Sequence, residues 1–328
     1  MDYISLLQKE MRPAFGCTEP IALAYAAAKA ASVLDEFPNH IHARCSANII
    51  KNVKSVVIPN SGGRKGLAAA TVLGAIVGHP ERELEVLESA TDEDRKWLGT
   101  LLEANFCTVE LAEGVDNLYI EITATTDEHT AVVRIENAHT NITYVSIDGN
   151  VISETINEIK EAERSTCPMT FDSIYEFAKA GDISGILPSI KQQVEYNTAI
   201  SNEGLSNDYG ANIGRLLLLD DETPSLETKC KARAAAGSDA RMSGCPLPVV
   251  ICSGSGNQGL TVSMPIITTA EELGKTDEEL YRALVFANLL TLYVKSGIGK
   301  LSAYCGVVSA GIVSVAGIAF LKGDSKDI

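Results

Sequence analysis

The residues of this 328-residue sequence best placed to do chemistry are its eight cysteines and two glycine-rich turns. Cys17, in Gly16-Cys17-Thr18-Glu19-Pro20, stands just ahead of a predicted helix. There the helix dipole and unpaired N–H groups lower a thiol pKa, while Glu19 acts in the opposite direction. Cys305, in Tyr304-Cys305-Gly306, precedes a run of small residues whose backbone is open to a ligand. Taken alone, each reads best as a buried packing cysteine. The chain has no C-x-x-C pair and no Cys/His cluster of zinc spacing. The closest cysteines, Cys245 and Cys252, are not at a standard ligand spacing, and His40, His42, His79, His129 and His139 all lie in the first half. Nothing supports a Cys–His catalytic pair, and no general base is identified.

The turn Ser253-Gly254-Ser255-Gly256-Asn257-Gln258-Gly259 contains G-x-G-x-x-G after the apolar run PLPVVIC. A dinucleotide fingerprint requires a helix that opens at those glycines. The residues that follow, LTVSMPIITT, are β-branched and broken by Pro265, which predicts a poor helix start and sets the nucleotide reading aside. Gly299-Lys300-Leu301-Ser302 lacks the upstream glycine and adjacent hydroxyl of a phosphate loop. What remains is an uncharged nest of backbone N–H groups, hydroxyls and amides, suited to a carboxylate or small polar substrate. Pro59-Asn60-Ser61-Gly62-Gly63 has the same vocabulary.

These groups need elements to hold them. Residues 20–34 predict an Ala-rich helix with Thr18 at its cap and Pro20 in the first turn. Residues 41–58 read as a strand running into the first glycine turn, 66–78 as a second apolar helix, and 81–103 as a solvated amphipathic helical region. Four strand-like runs then cover about 107–152, with Ile120, Ile122, Val132 and Ile135 on a buried face. Helical patterning resumes after Ser153. The expected architecture is α+β, a mostly helical catalytic core with a small antiparallel β-sheet domain. The expected boundaries are 1–105 and 153–328 for the two helical parts of the core and 106–152 for the sheet.

Composition bounds the function. Apolar residues make up 45% and aromatics only 5%, so the core is built from Ala, Val, Ile and Leu with closely packed backbones. The formal charge of −16 disfavours nucleic acid and anionic membrane surfaces as partners, while leaving room for a small anionic substrate in a locally positive pocket. The first ten residues carry both signs of charge and no apolar signal region, which predicts reduced thiols and a cytoplasmic location. The uncharged run 302–321 has the length of a membrane span, but its Gly, Ser and Ala content predicts a central helix of a soluble domain instead.

Five ordered blocks carry a family resemblance: GCTEPIALAYA at 16–26, KNVKSVVIPNSGGRKG at 51–66, AAAGSDARMSGCPLPV at 234–249, SGSGNQG at 253–259 and KLSAYCGVVSAG at 300–311. In these the chain resembles the L-cysteine desulfidase family, related to the alpha chain of iron–sulfur L-serine dehydratases. The resemblance implies an oxygen-sensitive [4Fe–4S] lyase without pyridoxal phosphate. In such a lyase three cysteines hold the cluster and the open iron acts on the leaving group of a small amino-acid substrate, L-cysteine or L-serine. By position, Cys17 and Cys305 match two cluster ligands. The loops Ser61, Gly62, Gly63 and Ser253, Gly254, Ser255, Gly256, Asn257, Gln258 are inferred to hold the amino acid's carboxylate and amine. The site is expected where the Cys17 helix start, both loops and Cys305 converge.

Relatives continue to a further block with a cysteine followed by Asp-Gly-Ala-Lys, the apparent third ligand, and this sequence stops at Gly323-Asp324-Ser325-Lys326-Asp327-Ile328 without it. Substitution by Cys245 or Cys252 is not favoured; a truncated chain that binds its cluster poorly is the other expectation. The terminal helix is then expected to show an exposed apolar face or to assemble a homo-oligomer. Three functions follow: a desulfidase, an L-serine dehydratase on the same fold, or a truncated metal-free amino-acid-binding protein.

Overall fold

Apolar residues at alternate positions give the strand His40–Cys45 one buried face, with Ile41, Ala43 and Cys45 inward. The same period of two runs through Thr130–Glu136 and the first part of Ile142–Ile147. The computed structural model describes residues 2–155, 169–220, 222–298 and 305–326. They form two compact units. The sheet unit takes Phe15–Lys160 with Met242–Pro246, and the helical unit takes Met1–Ala14, Glu161–Arg241 and Leu247–Ile328.

In the sheet unit, six strands lie in the order Cys107–Leu111, His40–Cys45, Tyr119–Thr125, Thr130–Glu136, Ile142–Ile147, Asn150–Glu154. All pairs are antiparallel except the first, where Ile41 lies opposite Cys107 in parallel register. The α+β expectation is thus met, with one parallel edge pair in the sheet. Val133, not Val132, is the buried partner of Ile135, because side chains one residue apart point to opposite faces. On the other face Arg44, Glu121 and Arg134 stand side by side on three adjacent strands, and Glu121 accepts from both guanidiniums and from Tyr119.

The strand segment expected over 41–58 ends at Cys45. Residues Ala47–Val53 are a helix, since Ile49 and Val53 at helical spacing bury one face. The Ala-rich helix Thr18–Leu34 covers the sheet and packs on Leu67–Val77. Those two backbones approach so closely that a Cβ on Gly74 would fall 2.2 Å from the carbonyl oxygen of Ala24. The 81–103 region is a short 3-10 stretch, Pro80–Glu85, and the helix Asp92–Glu103, started by a Thr91/Asp94 capping box.

In the helical unit, the start of the pattern expected after Ser153 falls at 156–168, outside the described residues, and Asn150–Glu154 is still strand. Helices follow at Phe171–Ala180, Leu187–Ser206, Ile213–Leu219, Leu226–Met242, Gly256–Leu273, Asp277–Ser296 and Gly306–Lys322. A two-stranded sheet pairs Pro13–Phe15 with Pro248–Val250.

The helix Gly306–Lys322 departs from the buried helix expected at 302–321, of which 302–304 lie outside the described residues. Ala310, Val313 and Gly317 face inward, but Val308, Ile312 and Val315 are exposed, Ile312 at 69%. The expected exposed apolar face is therefore present. No helix among the described residues is long and apolar enough to cross a membrane.

Candidate functional site

The sheet unit joins the first cysteine to the first glycine turn. Gly16 has a positive φ of 74°, and a Cβ there would fall 2.1 Å from Pro59 Cγ. Only glycine lets the chain sit on the proline that opens the turn. Cys17 follows in extended conformation as the N-cap of Thr18–Leu34, without a side-chain cap bond. The residue is 6% exposed and its thiol donates to Glu19 Oε2 at 3.1 Å, an oxygen that also accepts from the Thr18 hydroxyl, while Asn52 donates to Oε1.

The turn itself is stiff. Ser61 is buried and its hydroxyl donates to the Arg64 carbonyl, while Arg64 Nη1 donates back to the Ser61 carbonyl. Asn60 Nδ2 donates to the carbonyls of Leu87 and Glu88. Gly62 and Gly63 both have positive φ, and Gly63 faces open space. A cavity of about 240 Å³ lies over this turn, lined by Asn60, Gly62, Gly63, Arg95, Ser243 and Gly244 among others. Arg95 frames it with donors already committed: Nη1 to the carbonyls of Asn60 and Ala90, Nε and Nη2 to Asp92. Its charge is matched by that carboxylate, so it braces the turn and offers little to an incoming anion.

The helical unit joins the second glycine loop to the second cysteine. The strand Pro248–Val250 is held by Asn197, whose Oδ1 accepts from the Val250 N–H. Cys252 and Ser255 then close a tight turn through mutual backbone hydrogen bonds, with Ser253 and Gly254 at positive φ. The helix Gly256–Leu273 opens directly at the glycines, contrary to the expectation of a poor helix start. Burial decides this: most of that helix is in the core, and its Ser263, Thr268 and Thr269 hydroxyls donate to carbonyls four residues back. Packing of that extent outweighs β-branched propensity and the interior Pro265.

The nucleotide reading still fails, for a different reason. A Cβ at Gly256 would lie 2.2 Å from Arg241 Nε, and one at Gly259 would lie 2.1 Å from the Val250 carbonyl. These glycines are spent on protein packing, and the adjoining sheet has only two strands. Asn257 Oδ1 accepts from Arg241. Gln258 is 2% exposed, and its Nε2 donates to the carbonyls of Cys252 and Ser253. Its Oε1 is turned against Gly306, where a Cβ would fall 2.2 Å away. Gly306 opens the last helix and Cys305 is its exposed N-cap, again extended and without a side-chain cap bond. Lys295 is buried in the last turn of Asp277–Ser296. Burial pushes its ammonium below the usual lysine range, and the Cys305 thiol opposes that shift.

Each unit thus carries one glycine turn packed against the start of a cysteine-capped helix. Cys17 belongs with Ser61, Gly62 and Gly63, and Cys305 belongs with Ser253–Gln258. Lys295, Arg95, Ser243 and Gly244 are the additions the structure makes to the residues read from sequence.

A three-cysteine cluster needs three thiolates in one place. Among the described residues no group of three His, Cys, Asp or Glu side chains is arranged to hold a metal ion. Burial, assisted by Glu10, pushes the Cys252 thiol up to about 12. The described residues do not make up the cluster's donor set.

With the geometry in hand, the sequence comparisons define the class. The family model described as serine dehydratase alpha chain matches residues 81–327, and the chain belongs to that family, a lyase-like enzyme family. Its relatives include the UPF0597 protein of Finegoldia magna, 46% identical over 330 residues, covering 100% of this chain and 78% of that protein. The UPF0597 protein of Lachnoclostridium phytofermentans is 44% identical over 99% of this chain and 78% of its own length. The UPF0597 protein of Treponema denticola is 39% identical over 99% and 77%.

Proposed function

We propose that this chain is a lyase that eliminates the β-substituent of a small L-amino acid, with L-cysteine as substrate and L-serine as the alternative on the same fold. The observation that carries the reading is the repeated pairing of a glycine turn with a cysteine-capped helix start, once in each unit. Elimination from L-cysteine breaks the Cβ–S bond and releases hydrosulfide, while a base takes the α-proton. The resulting 2-aminoacrylate hydrolyses to pyruvate and ammonia. The turns supply rigid backbone N–H groups and carbonyls at positive φ, which hold charged substrate ends without reorganising. The family description favours serine; the five sequence blocks favour cysteine.

The test is anaerobic incubation of the full chain, after treatment with iron and sulfide, with each amino acid in parallel. Sulfide and pyruvate from L-cysteine support the desulfidase, and pyruvate from L-serine alone selects the dehydratase. Pyruvate from neither overturns the lyase reading. The cluster is a separate proposal, tested by electronic absorption of the same sample. Bands that disappear in Cys17→Ala and Cys305→Ala support it, and a plain protein spectrum overturns it.

A further inference from the structure

A cavity of about 630 Å³ opens within the helical unit and shares no residue with either glycine turn. Three helices wall it: Cys230 and Ala234 lie on Leu226–Met242, Thr261, Pro265 and Thr269 on Gly256–Leu273, and Gly311 and Val315 on Gly306–Lys322. The spacing of four within each set keeps those residues on one face of their helix. Polar groups in these walls are satisfied by the protein. Cys230 Sγ and the Thr269 hydroxyl both donate to the Pro265 carbonyl, and the Ser314 hydroxyl donates to that of Gly311. The groove therefore offers apolar surface, in a volume suited to one small molecule.

Charge is confined to one end of the groove. Lys229 pairs with Glu272, and a Cβ at Gly237 would fall 3.0 Å from Leu260 Cδ2, so Leu226–Met242 runs antiparallel to Gly256–Leu273. A Cβ at Gly306 would meet Gln258 and one at Gly317 would meet Ile266, so Gly306–Lys322 runs parallel to it. Glu227, Lys231 and Lys322 therefore share one mouth, and Ala234, Thr261 and Gly311 share the opposite end. Glu227 and Lys231 pair with each other. Among the described residues Lys322 pairs with no carboxylate, which leaves that mouth with an unmatched positive charge. The helix from Thr261 to Thr269 spans about 12 Å along the groove. An extended alkyl chain covers that distance in about eight to ten carbons.

We propose that this groove binds an unbranched monocarboxylate of about eight to ten carbons. Its chain lies along the three helices and its carboxylate meets Lys322. The site is independent of the lyase reading and uses none of the residues assigned to it.

The test is calorimetric titration of the dilute full chain with hexanoate, octanoate, decanoate and dodecanoate, and with decyltrimethylammonium as the cationic control. Affinity is expected to rise about two- to fourfold per methylene up to about ten carbons and then level. Decanoate should bind at least about fivefold more tightly than decyltrimethylammonium. Lys322→Gln should remove most of that preference, and Lys322→Arg should keep it. A Cβ at Gly311 meets nothing, so Gly311→Leu fills the apolar end without overlap and favours the helix. It should weaken decanoate about tenfold and leave hexanoate unchanged. If Gly311→Leu lowers the melting temperature, the Lys322 variants decide alone. Decanoate that binds no better than decyltrimethylammonium, or equally well to a stable Gly311→Leu, overturns the proposal. Binding of no carboxylate also overturns it, and a dimer that Gly311→Leu dissociates in sedimentation then gives the groove to a second copy.

Discussion

Gly16 and Gly63 both sit at positive φ, yet they need glycine for different reasons, and this difference is measurable. At Gly63 a Cβ meets nothing, so Gly63→Ala carries only the left-handed backbone penalty, about 1 kcal/mol. At Gly16 the same penalty is joined by overlap with Pro59, so Gly16→Ala should cost about 2–4 kcal/mol in denaturant unfolding. Equal losses at the two sites would mean that the contact between the Cys17 segment and the turn is looser than described. The chemistry-bearing cysteines and turns were legible from residue type and spacing. Lys295 repeats the spacing of Asn288 and Thr291 on the buried side of its helix. That periodicity was the available signal. Arg95 is far from the turn in sequence and gave none, whereas Ser243 and Gly244 lie inside the 234–249 block, whose spacing alone does not tie them to the turn.

At the scale of elements, caps and cross-strand pairs decide what holds the site in place. The helix that carries Lys295 starts at a Thr276/Glu279 capping box. The Thr276 backbone N–H, Lys275 and the Thr276 hydroxyl hold the Glu279 carboxyl at about 2. A folded pKa below the unfolded value gives stability that is present above about pH 5 and is lost as pH falls toward about 2. The acid limb of the unfolding profile should therefore flatten in Glu279→Gln, read from denaturant midpoints at successive pH values. Thr276→Ala should lower stability by about 1 kcal/mol at neutral pH.

In the sheet, Glu121 is desolvated, but hydrogen bonds from Arg134, Tyr119 and Arg44 outweigh that and keep its pKa low. Glu121→Ala leaves two half-exposed guanidiniums without their acceptor and should cost about 2–3 kcal/mol by the same measurement. A loss under about 0.5 kcal/mol would mark the ladder as energetically idle. The strands were legible because half-buried strands alternate. The helix at Ala47–Val53 and the one opening at Gly256 were not, since short apolar runs fit either period until their neighbours are known.

For the whole molecule, the low aromatic content and abundant alanine and glycine foretold backbones packed closely, as between Ala24 and Gly74. The exposed Ile312 and Val315 form an apolar stripe on the Cys305 helix. Ile312→Glu should leave unfolding stability within about 0.5 kcal/mol of wild type. Sedimentation of the variant should also show less self-association than wild type at high concentration. A larger loss of stability would mean that this face is packed in solution.

The sequence by itself determined the family, the α+β class, the alternating strands and the two cysteine-and-glycine motifs, because these depend on local spacing and on residues of unusual chemistry. Tertiary structure alone decided that each motif's glycine turn packs on a cysteine-capped helix start. It also decided that the fingerprint-like glycines serve Arg241 and Val250 rather than a phosphate, and that a lysine is buried near the end of Asp277–Ser296. Those outcomes depend on which distant side chains share a volume, and burial in a common core can outweigh the propensities that a linear reading must rely on.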